Sequence, residues 1–104
     1  MANLKEQIEK DIKENKVIIY MKGTPDSPQC GFSAQVVSIL KSYNIPFETK
    51  NVLPDPHLRQ AIKDFTDWPT IPQIFINGEF IGGCDILTEM HQKGELKKLL
   101  EGIK

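Results

Sequence analysis

Cys30, in the stretch SPQCGFSAQ, is followed by Gly31, Phe32 and Ser33, so a C-x-x-C pair becomes C-x-x-S. The cysteine falls between a proline-containing loop and a helical pattern, which places it at a helix N-terminus. Unpaired N–H groups and the positive end of the helix dipole favour a thiolate there. Lys22, at the end of the preceding apolar run, adds positive charge. A thiolate is both the nucleophilic and the metal-binding form of cysteine. The alternative is an inert structural cysteine, since free Cys is among the most buried residue types. The loop-to-helix position shifts the balance toward chemistry. Ser33 lies one turn on. It either donates a hydrogen bond to the sulfur or forms part of a solvated helix surface, and it cannot resolve a mixed disulfide as a second thiol would.

Two further stretches carry candidate functional groups. In TIPQ, residues 70–73, Pro72 stands just before a strand, where the X–Pro bond is either cis or an ordinary trans bond. In the cis case the Ile71 N–H and C=O are left to face the cysteine and pair with an extended peptide. In GGCDI, residues 82–86, Gly82 and Gly83 permit close backbone approach, and Asp85 is expected to cap a helix or meet an amine. Cys84 reads as a buried small residue, a second redox sulfur, or a supplier of backbone contacts. His57 and His91 lack metal-ligand spacing to each other or to a cysteine and read as surface residues.

These residues need elements to hold them. Asn3 with Glu6 reads as a cap and its reciprocal acid, opening a helix with Leu4, Ile8 and Ile12 on one stripe. VIIYM, residues 17–21, is a β-branched and aromatic run expected to be a buried strand. KGTPDSPQ is a loop. Phe32, Val36, Leu40 and Tyr43 recur at helical spacing, and a second strand is expected around FETKNV. Asp55 caps a helix with Pro56 at its first position and Leu58, Ala61, Ile62 and Phe65 on its apolar face. QIFINGEFIGG reads as a hairpin turning at Asn77-Gly78. A further helix breaks at Gly94, and Leu96, Leu99, Leu100 and Ile103 line the last one.

The order α-β-α-β-α-β-β-α-α contains a β-α-β unit, hence two parallel strands with a right-handed crossover, and a hairpin that adds antiparallel strands. The expected fold class is α/β: a thioredoxin-like, four-stranded mixed sheet flanked by helices on both faces. At 104 residues the chain suits one domain, 1–104. Its net charge of −1, with both signs spread along it, offers no basic cluster for nucleic acid. No apolar run approaches the ~20 residues of a membrane span. The N-terminus mixes acids with bases, unlike a targeting peptide, so a cytoplasmic location is expected. Only two cysteines occur, 54 positions apart, which argues against a disulfide-stapled secreted fold.

With MKGTP, CGFS, WPTIPQ and GGCD in this order, nearly the whole chain resembles the monothiol glutaredoxins of the CGFS class, in their single-domain bacterial form. The resemblance implies a glutathione site. Lys22 and Arg59 would pair with a glutathione carboxylate, and Ile71 would pair through its backbone with the cysteinyl part. Cys84 (through backbone) and Asp85 (through backbone and carboxylate) would hold the γ-glutamyl end, with Thr70 and Gly83 as neighbours. It also implies that Cys30 ligates a [2Fe–2S] cluster. Such a cluster takes four sulfur ligands in its common form, so one Cys30 and one glutathione thiolate from each of two protomers complete it. The implied function is delivery of that cluster to acceptor apoproteins by a homodimer, with BolA-type proteins as heterodimer partners. The alternative is a glutathione-dependent thiol–disulfide oxidoreductase of weak activity using Cys30 as nucleophile.

Overall fold

All five residues of Val17–Met21 are buried, as expected of a strand covered on both faces. In the computed structural model this strand, β1, lies inside a sheet of order β2-β1-β3-β4, with β2 at Glu48–Asn51, β3 at Gln73–Ile76 and β4 at Glu79–Gly82. β1 pairs parallel with β2 and antiparallel with β3, and β3 pairs antiparallel with β4. The structure describes residues 3–103. Met1, Ala2 and Lys104, which the single-domain reading takes in, lie outside the described residues.

Alternation along β1 divides the interior in two. Val17, Ile19 and Met21 join Val36, Val37, Leu40, Leu87, Leu96 and Leu100 from α2 (Gly31–Ser42), α4 (Cys84–Lys93) and α5 (Glu95–Leu100). Ile18 and Tyr20 face the other way, onto Ile8 and Ile12 of α1 (Leu4–Glu14) and Ile62 of α3 (Pro56–Thr66). Each fully buried aliphatic chain contributes roughly 1.5–3 kcal/mol through the water it leaves. The thioredoxin-like layout, with helices on both faces, therefore stands as expected.

The local signals explain the boundaries. Asn3 accepts the Glu6 N–H at 2.8 Å, and Asp55 accepts the Leu58 N–H at 3.0 Å with Pro56 next in line. Asn77 and Gly78 both adopt positive φ, 53° and 81°, the combination a two-residue hairpin turn requires. The second strand is two residues shorter than FETKNV, starting at Glu48 and ending at Asn51.

The helical spacing of Phe32, Val36 and Leu40 holds in α2, with Phe32 59% exposed in its first turn. One expectation fails here. Asp85 is not the cap of α4. Gly83 holds that position without a side-chain hydrogen bond, and Asp85 is exposed in the first turn.

Candidate functional site

α2 and α4 both begin at the same cleft. Cys30 is the N-cap of α2, in extended backbone, and its carbonyl accepts the first helical bond from the Ala34 N–H at 2.9 Å. At the start of α4 the first helical bond runs from the Leu87 N–H to the Gly83 carbonyl at 3.1 Å. The N–H groups of Cys84, Asp85 and Ile86 precede that first bond, a ready acceptor site for an anion.

Cys30 is half-buried, and its thiol ionises below the ordinary thiol range. The largest cause is a hydrogen bond from the Ser33 N–H to the sulfur. Partial burial opposes it, while the Phe32 N–H, the Ser33 hydroxyl and the charge of Lys22 all act downward. Ser33 itself is fully buried, which overturns its reading as solvated surface. Its Oγ accepts the Lys22 N–H at 3.2 Å. Cys84 behaves oppositely. Burial pushes its thiol up, a hydrogen bond with the Thr88 hydroxyl pulls it down, and the charges of Asp85 and Cys30 add to the rise. Of the two cysteines only Cys30 has its ionisation eased by its surroundings.

The thiol loop is tightly made. Lys22 O accepts the Gln29 N–H at 2.9 Å, and Thr24 and Ser27 exchange backbone bonds of 3.3 and 3.0 Å. Gly23 has φ +92°, and a Cβ there would stand 2.5 Å from Ser27 O, so a side chain does not fit.

The opposite wall is residues 68–72. The Ile71–Pro72 bond is cis, one of the two alternatives weighed for it. The Ile71 side chain packs into the core beside Ile18 and Tyr20, and Ile71 lies before the strand pairing that starts at Gln73. Gln73, fully buried, fixes this wall: its Nε2 donates to Trp68 O at 3.0 Å and Thr70 O at 3.2 Å, and its Oε1 accepts from the Thr66 hydroxyl at 2.8 Å. Trp68 Nε1 is buried without a hydrogen-bond partner, against the space beside Gly83.

The cleft between these walls has a volume of about 510 Å³, within the range of small-ligand sites. Lys22, Cys30, Arg59, Thr70, Ile71, Gly83, Cys84 and Asp85 all line it, so every residue singled out from sequence for binding is brought to one place. Phe32, Lys63, Trp68, Pro69, Pro72 and Ile86 line it as well. Lys63 was missed, although it stands four residues after Arg59 and so on the same face of α3. Gln73 was missed too, although a carboxamide in the apolar run QIFI was a visible signal. His57 and His91 are exposed, with His91 Nδ1 2.6 Å from the Tyr43 hydroxyl. Three cations, one carboxylate, the Cys30 sulfur and two helix N-termini line one cleft, whose charge balance favours an anion.

This fold and this cleft define a thioredoxin-like domain with a cysteine at the N-terminus of α2. The comparisons specify it further. A family model described as Glutaredoxin matches residues 17–81. The chain is 54% identical over 101 residues to monothiol glutaredoxin-S15, mitochondrial, of Arabidopsis thaliana, covering 97% of this chain and 60% of that protein. It is also 54% identical over 97 residues to an uncharacterized monothiol glutaredoxin of Synechocystis, covering 93% of this chain and 91% of that one. The chain thus spans about three fifths of the plant relative, and nearly all of the cyanobacterial one. Among solved structures, a monomeric truncated mutant of Trypanosoma brucei 1-C-Grx1 is 39% identical with a TM-score of 0.88, covering 100% of this chain and 96% of that one. Reduced poplar apo GrxS14 is 52% identical with a TM-score of 0.83, covering 94% and 90%. A buckwheat glutaredoxin–glutathione complex, 23% identical with a TM-score of 0.82 and covering 93% and 86%, shares the fold. The chain belongs to the glutaredoxin family. Within it, the lone Cys30 and these relatives make it a monothiol glutaredoxin.

Proposed function

We propose that this protein binds glutathione in the cleft and, as a homodimer, carries a [2Fe–2S] cluster that it hands to acceptor apoproteins. One observation carries the reading: Cys30 shares a single cleft with Lys22, Arg59, Ile71, Cys84 and Asp85. Lys22 and Arg59 suit one glutathione carboxylate. The backbone of Ile71 suits the extended cysteinyl part, and the open N–H groups of Cys84 and Asp85 suit the γ-glutamyl carboxylate, with the Asp85 side chain toward its amine. That pose sets the glutathione sulfur beside Cys30. The buckwheat complex shows that a glutaredoxin of this fold takes this ligand.

The donor set fits a shared cluster. Cys30 is a half-exposed sulfur whose ionisation is favoured by the Ser33 N–H, whereas Cys84 is buried and its thiol is pushed up by that burial. Among the described residues no three His, Cys, Asp or Glu side chains gather to hold a metal ion. A cluster bound at Cys30 would therefore draw its remaining ligands from glutathione and from a second copy. A cluster half held by exchangeable ligands is suited to delivery. We assign BolA-type proteins as heterodimer partners. No described helix is long and apolar enough to cross a membrane, and we propose the cytoplasm as the place of action. Anaerobic reconstitution with iron, sulfide and glutathione tests the reading. A coloured dimer with about one cluster per two chains supports it, and a colourless monomer overturns it.

The lowered thiol pKa of Cys30 also favours a second reading, glutathione-dependent thiol–disulfide exchange. The Cys30 thiolate attacks the protein-bound glutathione sulfur and releases the protein thiolate. A second glutathione then attacks the mixed disulfide, leaving oxidised glutathione and free Cys30. Turnover comparable with a dithiol glutaredoxin in a glutathione-coupled disulfide-reduction assay would promote this reading over carriage.

A further inference from the structure

Lys22 and Arg59 reach the cleft from different parts of the chain. Lys22 follows β1, and Arg59 lies in the second turn of α3, after the loop that leaves β2. Asn51, the last residue of β2, sits between them. Its Oδ1 accepts two backbone bonds at 3.0 Å each, from the Gly23 N–H and from the Leu53 N–H. Both donors are N–H groups, so the oxygen end of the carboxamide must face them. One of these bonds ties down the thiol loop immediately after Lys22. The other ties down the loop that leads, through the Asp55 cap, into the helix bearing Arg59.

The backbone around Lys22 is thereby held at three successive points. Its N–H goes to Ser33 Oγ, its C=O accepts from Gln29, and the next N–H goes to Asn51. The first of these points reaches the residue that solvates the Cys30 thiolate. No nearer route joins the thiol loop to the β2–α3 loop by side-chain bonds among the described residues.

We infer that Asn51 is a positioning residue, whose single carboxamide oxygen sets the Lys22 side of the cleft against the Arg59 side. It is not among the residues that line the cleft. It acts by joining the two loops beyond the point where the Val52 N–H to Met21 C=O bond of 2.9 Å ties their bases, so that two cations converge on one carboxylate. The ligand half of this inference rests on the glutathione reading of the cleft, and the thiol half does not.

The test compares the full chain with Asn51→Ala, Asn51→Asp and, as a control for stability alone, Ile12→Val, a buried α1 residue that does not line the cleft. Glutathione affinity is followed by the fluorescence of Trp68, the one tryptophan of the chain, which lines the cleft. The pH profile of Cys30 alkylation by iodoacetamide is followed by peptide mass spectrometry. Asn51→Ala is expected to weaken glutathione binding about tenfold and to raise the alkylation midpoint by roughly half a pH unit. Asn51→Asp keeps an oxygen for both N–H donors and should recover most of the lost affinity. Ile12→Val should lower the unfolding temperature and leave both readouts alone. Asn51→Ala that is destabilised but keeps wild-type affinity and alkylation profile would overturn the inference. If the wild-type chain itself binds no glutathione, the functional reading falls, and an unshifted alkylation profile in Asn51→Ala would then overturn the positioning role as well.

Discussion

The Ser33 hydroxyl accepts the Lys22 backbone N–H at 3.2 Å, while the Ser33 amide is aimed at the Cys30 sulfur. One serine thus joins the thiol to the end of β1, and the serine of C-x-x-S has a task that a second thiol would perform poorly. Sulfur is a weak acceptor for the Lys22 N–H and a weak donor to a thiolate.

Replacing Ser33 by Ala should raise the pH at which Cys30 ionises, because the hydroxyl is one of the groups that lower it. It should also cost roughly 1–3 kcal/mol of stability, since the Lys22 N–H loses its partner. The rise is read from thiolate absorbance against pH and the cost from urea unfolding. An unchanged ionisation midpoint would contradict the role given to the hydroxyl.

The two cysteines should separate cleanly in reactivity. Cys30 ionises below the ordinary thiol range and Cys84 above it. Brief iodoacetamide treatment near neutral pH should label Cys30 and spare Cys84, as peptide mass spectrometry would show. The same shift has a sign for stability. A thiol with a depressed folded-state value stabilises the fold fully above its unfolded value, and that contribution is lost as pH falls through the folded value. Stability conferred by the Cys30 thiolate should therefore decline on acidification through that window, and Cys30→Ser should abolish that part of the pH dependence.

Much of this was legible because the signals are local. A cap and its first turn lie within three or four residues, as with Asn3 and Asp55, and a positive-φ pair announces a hairpin at Asn77-Gly78. Most cleft residues were legible because they sit in the short motifs MKGTP, CGFS, WPTIPQ and GGCD; Arg59, outside all four, came only with the family resemblance. Asn51 and Gln73 were not legible: Asn51 bonds Gly23 from 28 positions away, and Gln73, whose bonds to Trp68 and Thr70 span only five and three positions, stands in a run that reads as an ordinary strand. Asp85 was misassigned because a glycine can cap as well as an aspartate, and the chain enters α4 at Gly83.

Gln73→Leu should loosen the wall at residues 68–72. It leaves the Trp68 and Thr70 carbonyls short of a partner, each at roughly 1–3 kcal/mol if it stays buried, while the Thr66 hydroxyl keeps the Ile62 carbonyl and the Trp68 N–H. Thermal unfolding should move down by several degrees, and glutathione affinity should fall with it. A variant as stable as the parent would show that water replaces the carboxamide.

Lys22→Glu and Arg59→Glu should each weaken glutathione binding while leaving the fold intact. A charge-assisted hydrogen bond is worth roughly 1.5–3 kcal/mol, and because Arg59 is exposed its share falls toward the low end. Cluster assembly should then need about ten times more glutathione, with dithiothreitol rescuing it only in part. Unchanged glutathione dependence in both variants would defeat the assignment of these cations.

The most direct measurement of cluster carriage is native mass spectrometry of anaerobically reconstituted protein, run beside Cys30→Ser and Cys84→Ser. The expected species is two chains with one [2Fe–2S] cluster and two glutathiones. It should be absent in Cys30→Ser and largely kept in Cys84→Ser, whose thiol is buried. A wild-type spectrum showing only bare monomer, or a cluster retained in Cys30→Ser, would contradict the proposal that this lone thiol shares a cluster through glutathione.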